Sequence, residues 1–324
     1  MRVCIIGDFS DRLDEGLKNV AHHLAENISA IPSMQVLKVN NKAVHLKTFS
    51  AIKKFRPEIV HYVPGPTNLS LLFLKFVELY LDSTPKIVLS VTHPDVSDLI
   101  FRATRLKPHC VFSSSVSFKR RMERIGVRSE LVPNGVDVNK FTPVSVSEKK
   151  RLRVKYGLHD DEFTILHVGH LIDNRSLHHL LSLPASNRIV VVASEYIDVK
   201  EEILASLGAH GCTVFRGYYP NIEEFYQMSD CYFFPVEHEK TLLCPLSVME
   251  AMACNLPVVT TGLEGISTFF AEAEGLIFVR KESDFIAALE SVRTGEVTIR
   301  TREKVLRYSW ENVAQQIAKV YLEL

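Results

Sequence analysis

The chain has 324 residues, 46% of them hydrophobic and 23% charged, with 38 basic against 38 acidic side chains. That length favours two domains with sizeable cores, and the composition excludes a disordered or collagen-like chain. No stretch reaches the roughly 18 consecutive apolar residues needed to span a bilayer.

The neutral total hides an asymmetry: residues 1–143 carry 20 basic and 13 acidic side chains, a surplus of seven that the rest of the chain cancels. Much of it crowds at Arg102, Arg105, Lys107, Lys119, Arg120, Arg121, Arg124 and Arg128. Such a face is either simply solvated or drawn to an anionic membrane surface or a phosphorylated acceptor. Nucleic acid is disfavoured, because no aromatic stacking platform accompanies the basic residues. The six cysteines form no C-x-x-C pair and sit in apolar, strand-like settings, which suggests buried thiols in a reducing cytoplasm and no zinc site.

The apolar start at residues 1–7 is too short for a signal peptide and suits a first strand at 3–6. Further strands are predicted at 35–39, 59–62, 87–91, 110–113 and 130–132, with helices at 15–28 and 115–125. The apolar run 69–81 is interrupted by Lys75 and Glu78 and fits an amphipathic helix. The polar segment 144–150 suits a linker. A second series follows, with strands at 164–168, 189–192, 213–216, 231–234, 258–260 and 276–279, and a final amphipathic helix at 310–324. Alternating strands and helices predict an α/β fold of two doubly wound parallel sheets.

The most telling stretch is 245–261. Leu246, Met249, Met252 and Ala253 recur at helical spacing, Asn255 suits a left-handed helix end, and Pro257 forbids continuation before a buried strand. Ligands of α/β sheets bind at the carboxyl ends of strands, where helix N-termini point their amides. Glu250 stands there as an acceptor for ribose hydroxyls; the plainer reading is a solvated helix residue.

This stretch resembles the nucleotide-sugar site of the family 4 glycosyltransferases of GT-B fold, usually worded E-G-F-G-x-x-x-x-E-A-M-A-x-G-x-P-V-V. Three further matches follow the same family's order: Val132-Pro133-Asn134-Gly135-Val136-Asp137-Val138-Asn139-Lys140-Phe141 at the end of the first domain, Leu166-His167-Val168-Gly169-His170-Leu171, and Tyr308-Ser309-Trp310-Glu311-Asn312-Val313. The resemblance implies two Rossmann-like domains facing across a cleft. Residues 1–143 would form the acceptor side, and residues 150–309 the nucleotide-sugar side. The helix 310–324 would return to the first domain.

For a diphosphate leaving group the family uses an Arg and a Lys after the first strand of the second domain. The matching positions here are His170 and Arg175, of which only Arg175 has a permanent charge. Gly16 corresponds to a glycine loop near the donor phosphate, and His93 to a histidine lining the cleft. Leu246 and Ser247 begin the Glu250 helix, and backbone near Tyr218 would meet the base. The family's first glutamate falls on Leu242 here; Glu239 could replace it if the loop is lengthened. His61, Tyr62 and Asn68 lie near another strand end and are weaker acceptor candidates. His22, His23, His178 and His179 lie on helical patterns and suit ordinary surface or core positions.

By resemblance, the chain transfers a sugar from a nucleotide diphosphate donor to an unidentified glycan or lipid-linked acceptor hydroxyl, with retention and without a metal or separate cofactor. It would work in the cytoplasm, with peripheral membrane contact through the first domain. The alternative is a catalytically silent homologue serving as a nucleotide-binding or partner subunit, which Leu242 favours. A nucleotide-sugar epimerase on the same fold fits the motifs less well. Nicotinamide binding is disfavoured, because no G-x-G-x-x-G follows a strand.

Overall fold

A computed structural model describes the chain except residues 11, 43–44, 66, 82–83, 92–106, 172–176, 185, 197–198, 237–243 and 282, with only the backbone at 46 and 68. The first sheet contains β1 (Arg2–Gly7), β2 (Gln35–Asn40), β3 (Ile59–Tyr62), β4 (Lys86–Val91), β5 (Cys110–Ser113) and β6 (Ser129–Leu131) in the order β2-β1-β3-β4-β5-β6. The second contains β7 (Thr164–Val168), β8 (Arg188–Ala193), β9 (Thr213–Arg216), β10 (Cys231–Phe234), β11 (Val258–Thr261) and β12 (Leu276–Val279) in the order β12-β11-β10-β7-β8-β9. Every ladder within these sheets is parallel. Their strands are apolar and β-branched because helices cover both faces; Val3, Cys4, Ile5 and Ile6 of β1 are all fully buried.

The first sheet is flanked by α1 (Gly16–Ser29), α2 (Leu46–Phe55), α3 (Asn68–Tyr80) and α4 (Val116–Arg124). With the second sheet go α5 (Val146–Lys155), α6 (His178–Leu181), α7 (Glu201–Ala209), α8 (Glu223–Met228), α9 (Leu246–Ala253), α10 (Glu264–Ser267), α11 (Asp284–Arg293) and α12 (Thr301–Val305). The segment 144–150 is therefore largely helix rather than open linker. Ser145 caps Glu148 N at 3.2 Å, and Glu148 pairs with Arg151 one turn on, so polar composition here marks a helix start.

Helix α13 (Trp310–Glu323) packs on α1, away from the sheet it follows in sequence. Its Trp310, Val313, Ile317 and Tyr321 share one core with Val3, Ile5, Val20 and Leu24. The crossing is fixed by a backbone exchange: Val136 N donates to Tyr308 O at 3.0 Å, and Trp310 N to Val136 O at 3.2 Å. A Cβ on Gly135 would lie 2.5 Å from the Trp310 ring and 2.8 Å from its Cα, so no larger residue fits that approach.

The two sheet units also meet at their rims. Glu264 of α10 accepts from Ser115 Oγ at 2.6 Å, Ser117 N at 2.8 Å and Ser117 Oγ at 2.7 Å, at the N-terminus of α4. On another part of the rim, Lys42 Nζ donates to Tyr196 OH at 2.7 Å and pairs with Asp8. Lys18 and Lys42 place their ammonium groups 4.7 and 4.9 Å from the Tyr196 ring centroid. All six cysteines are buried and unpaired. No helix among the described residues is long and apolar enough to cross a membrane.

Candidate active site

A cavity of about 620 Å³ opens where the carboxyl ends of both sheets converge, within the size range of small-molecule sites. In the first sheet the strand order reverses between β1 and β3; in the second, between β7 and β10. Crevices at such reversals are where open α/β sheets take ligands. The loop after β7 brings Gly169 and His170 to the cavity, the end of β8 brings Ser194, and the end of β9 brings Gly217 and Tyr218.

Helix α9 forms one wall. Its N-cap residue is Pro245, which supplies no side-chain acceptor to the first turn, and Leu246, Ser247 and Glu250 all line the cavity. The helix ends as the sequence suggests: Asn255 takes a left-handed conformation, with φ of +57°. The Glu250 carboxylate accepts from Tyr226 OH at 2.7 Å. Burial pushes the Glu250 carboxyl up to about 7, against the opposing pull of the Tyr226 hydrogen bond and the charge of Lys140. Lys140 itself lines the cavity and donates to Pro220 O at 2.8 Å.

Gly16 faces this wall from the other sheet; a Cβ there would stand 4.0 Å from Leu246 Cδ1. The neighbouring α1 amides are already engaged, because Glu15 accepts from Leu17 N at 2.6 Å and Lys18 N at 3.3 Å. Gly16 itself lines the cavity, as the sequence expectation has it. The cavity thus gathers Gly16, His170, Tyr218, Leu246, Ser247 and Glu250. Arg175, His93 and Glu239, together with Leu242, Arg102 and Arg105, lie outside the described residues.

His61 is a correction. It is fully buried, with Nδ1 2.5 Å from Tyr321 OH and Nε2 2.8 Å from Ser90 Oγ, and burial lowers its pKa to about 3. It ties β3 to α13 as a neutral ring instead of facing an acceptor; of this chain of groups Ser90 lines the cavity. His23, expected to be ordinary, also lines the cavity and stacks on Trp310 at a centroid distance of 5.4 Å. Tyr226 and His23 carried no local signal in the sequence, because each depends on a partner more than 20 residues away. Lys140 was legible as part of the Val132–Phe141 motif, though without an assigned role.

Residues 148–309, half of the chain, match the family model described as glycosyl transferases group 1. Among curated proteins, the chain is 26% identical over 267 residues to the capsular polysaccharide biosynthesis glycosyltransferase CapM of Staphylococcus aureus, covering 78% of this chain and 64% of that protein. It is 22% identical over 211 residues to the alpha-monoglucosyldiacylglycerol synthase of Acholeplasma laidlawii, covering 60% of this chain and 52% of that one. The chain spans about half the length of the curated relatives it matches. Among solved structures, HepE of Anabaena in complex with UDP-glucose superposes with a TM-score of 0.75 at 13% identity, covering 100% of both chains. The fold is therefore GT-B, and the chain belongs to the group 1 glycosyl transferases, family 4.

Proposed function

We propose that this chain transfers a hexose from a nucleoside diphosphate donor to an acceptor hydroxyl, with retention of configuration. The observation that carries the proposal is the wall formed by α9: a first turn without a side-chain cap and a Glu250 carboxylate share one cavity. Helix amides stabilise a diphosphate, and a carboxylate takes two hydrogens from a ribose diol. His170, Tyr218, Leu246 and Ser247 line the same cavity; by the family resemblance, His170 and Arg175 would partner the diphosphate, His93 would stand near the sugar, and Glu239 would accept its hydroxyl hydrogens. HepE was solved in complex with UDP-glucose, which makes uridine the first base to test here.

In the transfer, the bond from the anomeric carbon to the diphosphate oxygen breaks, and the bond to the acceptor oxygen forms on the same face. The acceptor proton passes to the leaving phosphate. Positive potential around the diphosphate lowers the barrier because charge grows there as the bond breaks. The acceptor enters from the first sheet's side, where Ser90 and Phe112 line the cavity. The CapM and diacylglycerol-glucosylating relatives make a glycan or a lipid-linked acceptor the two classes to try.

The test is a thermal-shift panel of uridine, guanosine and adenosine diphosphates and their sugars, followed by product analysis with the stabilising donor. A ligand at 100 times its Kd stabilises by roughly 2.7 kcal/mol. Stabilisation without transfer to any acceptor would favour a silent nucleotide-binding subunit, the reading supported by Leu242 in place of the family's glutamate. No stabilisation by any donor would overturn both.

A further inference from the structure

Helix α3 presents an uncovered apolar stripe. Leu69 is 79% exposed, Leu72 57%, Phe76 53% and Leu79 73%, while Leu71, Leu74 and Val77 on its other side are fully buried. Spacings of three, four and three residues align the exposed four along one face. Lys75 and Glu78 flank the stripe and pair with each other at 2.6 Å.

Beside it, α2 carries Lys47, Lys53 and Lys54 and no acidic residue. Lys47 and Lys54 are exposed, and Lys53 Nζ lies 5.3 Å from the centre of the Tyr80 ring. Phe49 of α2 packs against Phe76 and Tyr80 at centroid distances of 5.0 and 5.7 Å, so the lysines and the stripe form one surface. Helix α3 begins just after β3, at the carboxyl edge of the first sheet, the edge on which the cavity opens.

We propose that the α2–α3 surface docks on an anionic lipid bilayer, with Leu69, Leu72, Phe76 and Leu79 entering the headgroup region and the α2 lysines meeting lipid phosphates. Exposed leucine and phenylalanine beside lysines is the chemistry of an interfacial helix. A second copy of the chain suits the surface poorly. A two-fold contact would bring two sets of α2 lysines together, and Glu78, the one carboxylate of α3, is already paired with Lys75. The basic face of α4 suits a membrane less well. Lys119 pairs with Glu123, Arg128 pairs with Glu130 and Glu323, and no large hydrophobic residue of α4 stands exposed.

The purpose of such docking, access to a membrane-borne acceptor, rests on the proposed transfer, but its test does not. The full chain is floated with vesicles of phosphatidylcholine alone and of phosphatidylcholine with phosphatidylglycerol. Wild type should float with the anionic vesicles, and less as salt rises. Leu69→Ser/Leu72→Ser/Leu79→Ser should weaken binding by at least about tenfold. K47E/K54E, which leaves the apolar stripe intact, should weaken it on anionic vesicles alone. R120E/R124E should bind like wild type. All three variants change exposed residues and should keep the wild-type melting temperature; if the serine variant unfolds, the lysine pair decides. Absence of flotation with either vesicle overturns the proposal. So does binding that survives both α2–α3 variants, or a dimer in sedimentation that the serine variant dissolves. A chain that floats but transfers no sugar would leave the docking standing and remove the transfer.

Discussion

At Glu250, stability and the proposed binding role oppose each other. Its carboxyl is raised to about 7 by burial, so the folded protein holds a proton there that the unfolded chain releases near the ordinary value of 4.5. The unliganded protein should lose stability as pH rises from about 4.5 through about 7, because ionisation is then favoured more in the unfolded chain. Glu250→Gln should flatten that part of the stability curve and raise the melting temperature at pH 8, while weakening nucleoside diphosphate binding. Urea unfolding at pH 5 and 8, paired with calorimetric titration, checks both; equal slopes in the two proteins would refute the first. Tyr226→Phe keeps the ring and removes the hydroxyl that serves Glu250, and should lower stability near pH 8 by about 1–3 kcal/mol. Glu250 was legible in the sequence because motif and helix start coincide there. Tyr226 was not, because its hydroxyl finds Glu250 only once α8 packs beside α9.

Among the elements, the periodic ones were legible and the contacts between them were not. Hydrophobic runs predict the strands closely, and Asn255 predicts the end of α9, because each signal is local. The polar 144–150 segment misled, since a Ser cap and a Glu–Arg pair also look like a linker. Glu264 had no signal at all: its role is to cap α4 across a chain separation of nearly 150 residues. Those hydrogen bonds hold its pKa below the ordinary carboxylate value despite partial burial. Their contribution is present at neutral pH and fades only as pH falls through that lowered value. Glu264→Ala should remove about 1–2 kcal/mol and widen the particle in small-angle scattering, with nucleotide binding restoring the compact form. An unchanged scattering profile would show that the rim contact does not hold the sheets together. Gly135→Ala places a methyl group against Trp310 and should destabilise by about 1–3 kcal/mol, read as a lower urea midpoint.

On the scale of the molecule, the sequence carried the architecture: two parallel sheets, and a family whose motifs run in order along the chain. It did not carry the closeness of the two rims, because rim contacts use single residues such as Tyr196, Lys18 and Lys42 that no pattern marks. The Tyr196 ring held beside two ammonium groups is a second tie between the sheets, distinct from Glu264. Tyr196→Ala combined with Glu264→Ala should therefore speed nucleotide exchange more than either change alone. Stopped-flow release of a fluorescent nucleotide measures this; a double variant no faster than the faster single one would mean that the two ties do not act in parallel.

Helix α13 sets an order of events during synthesis. A ribosome emits α1 and the first sheet early, yet their core includes Trp310, Val313, Ile317 and Tyr321, made after every other described element. Until then Val20, Leu24 and Phe112 lack part of their cover, whereas the second sheet can assemble from residues already emitted. Birth order and completion order are thus reversed, against the usual N-terminal-first sequence of multidomain folding. A nascent chain stalled before residue 310 should be cut by protease within the first sheet unit and spared in the second, and an apolar patch near α1 would be offered to chaperones for the whole of that interval.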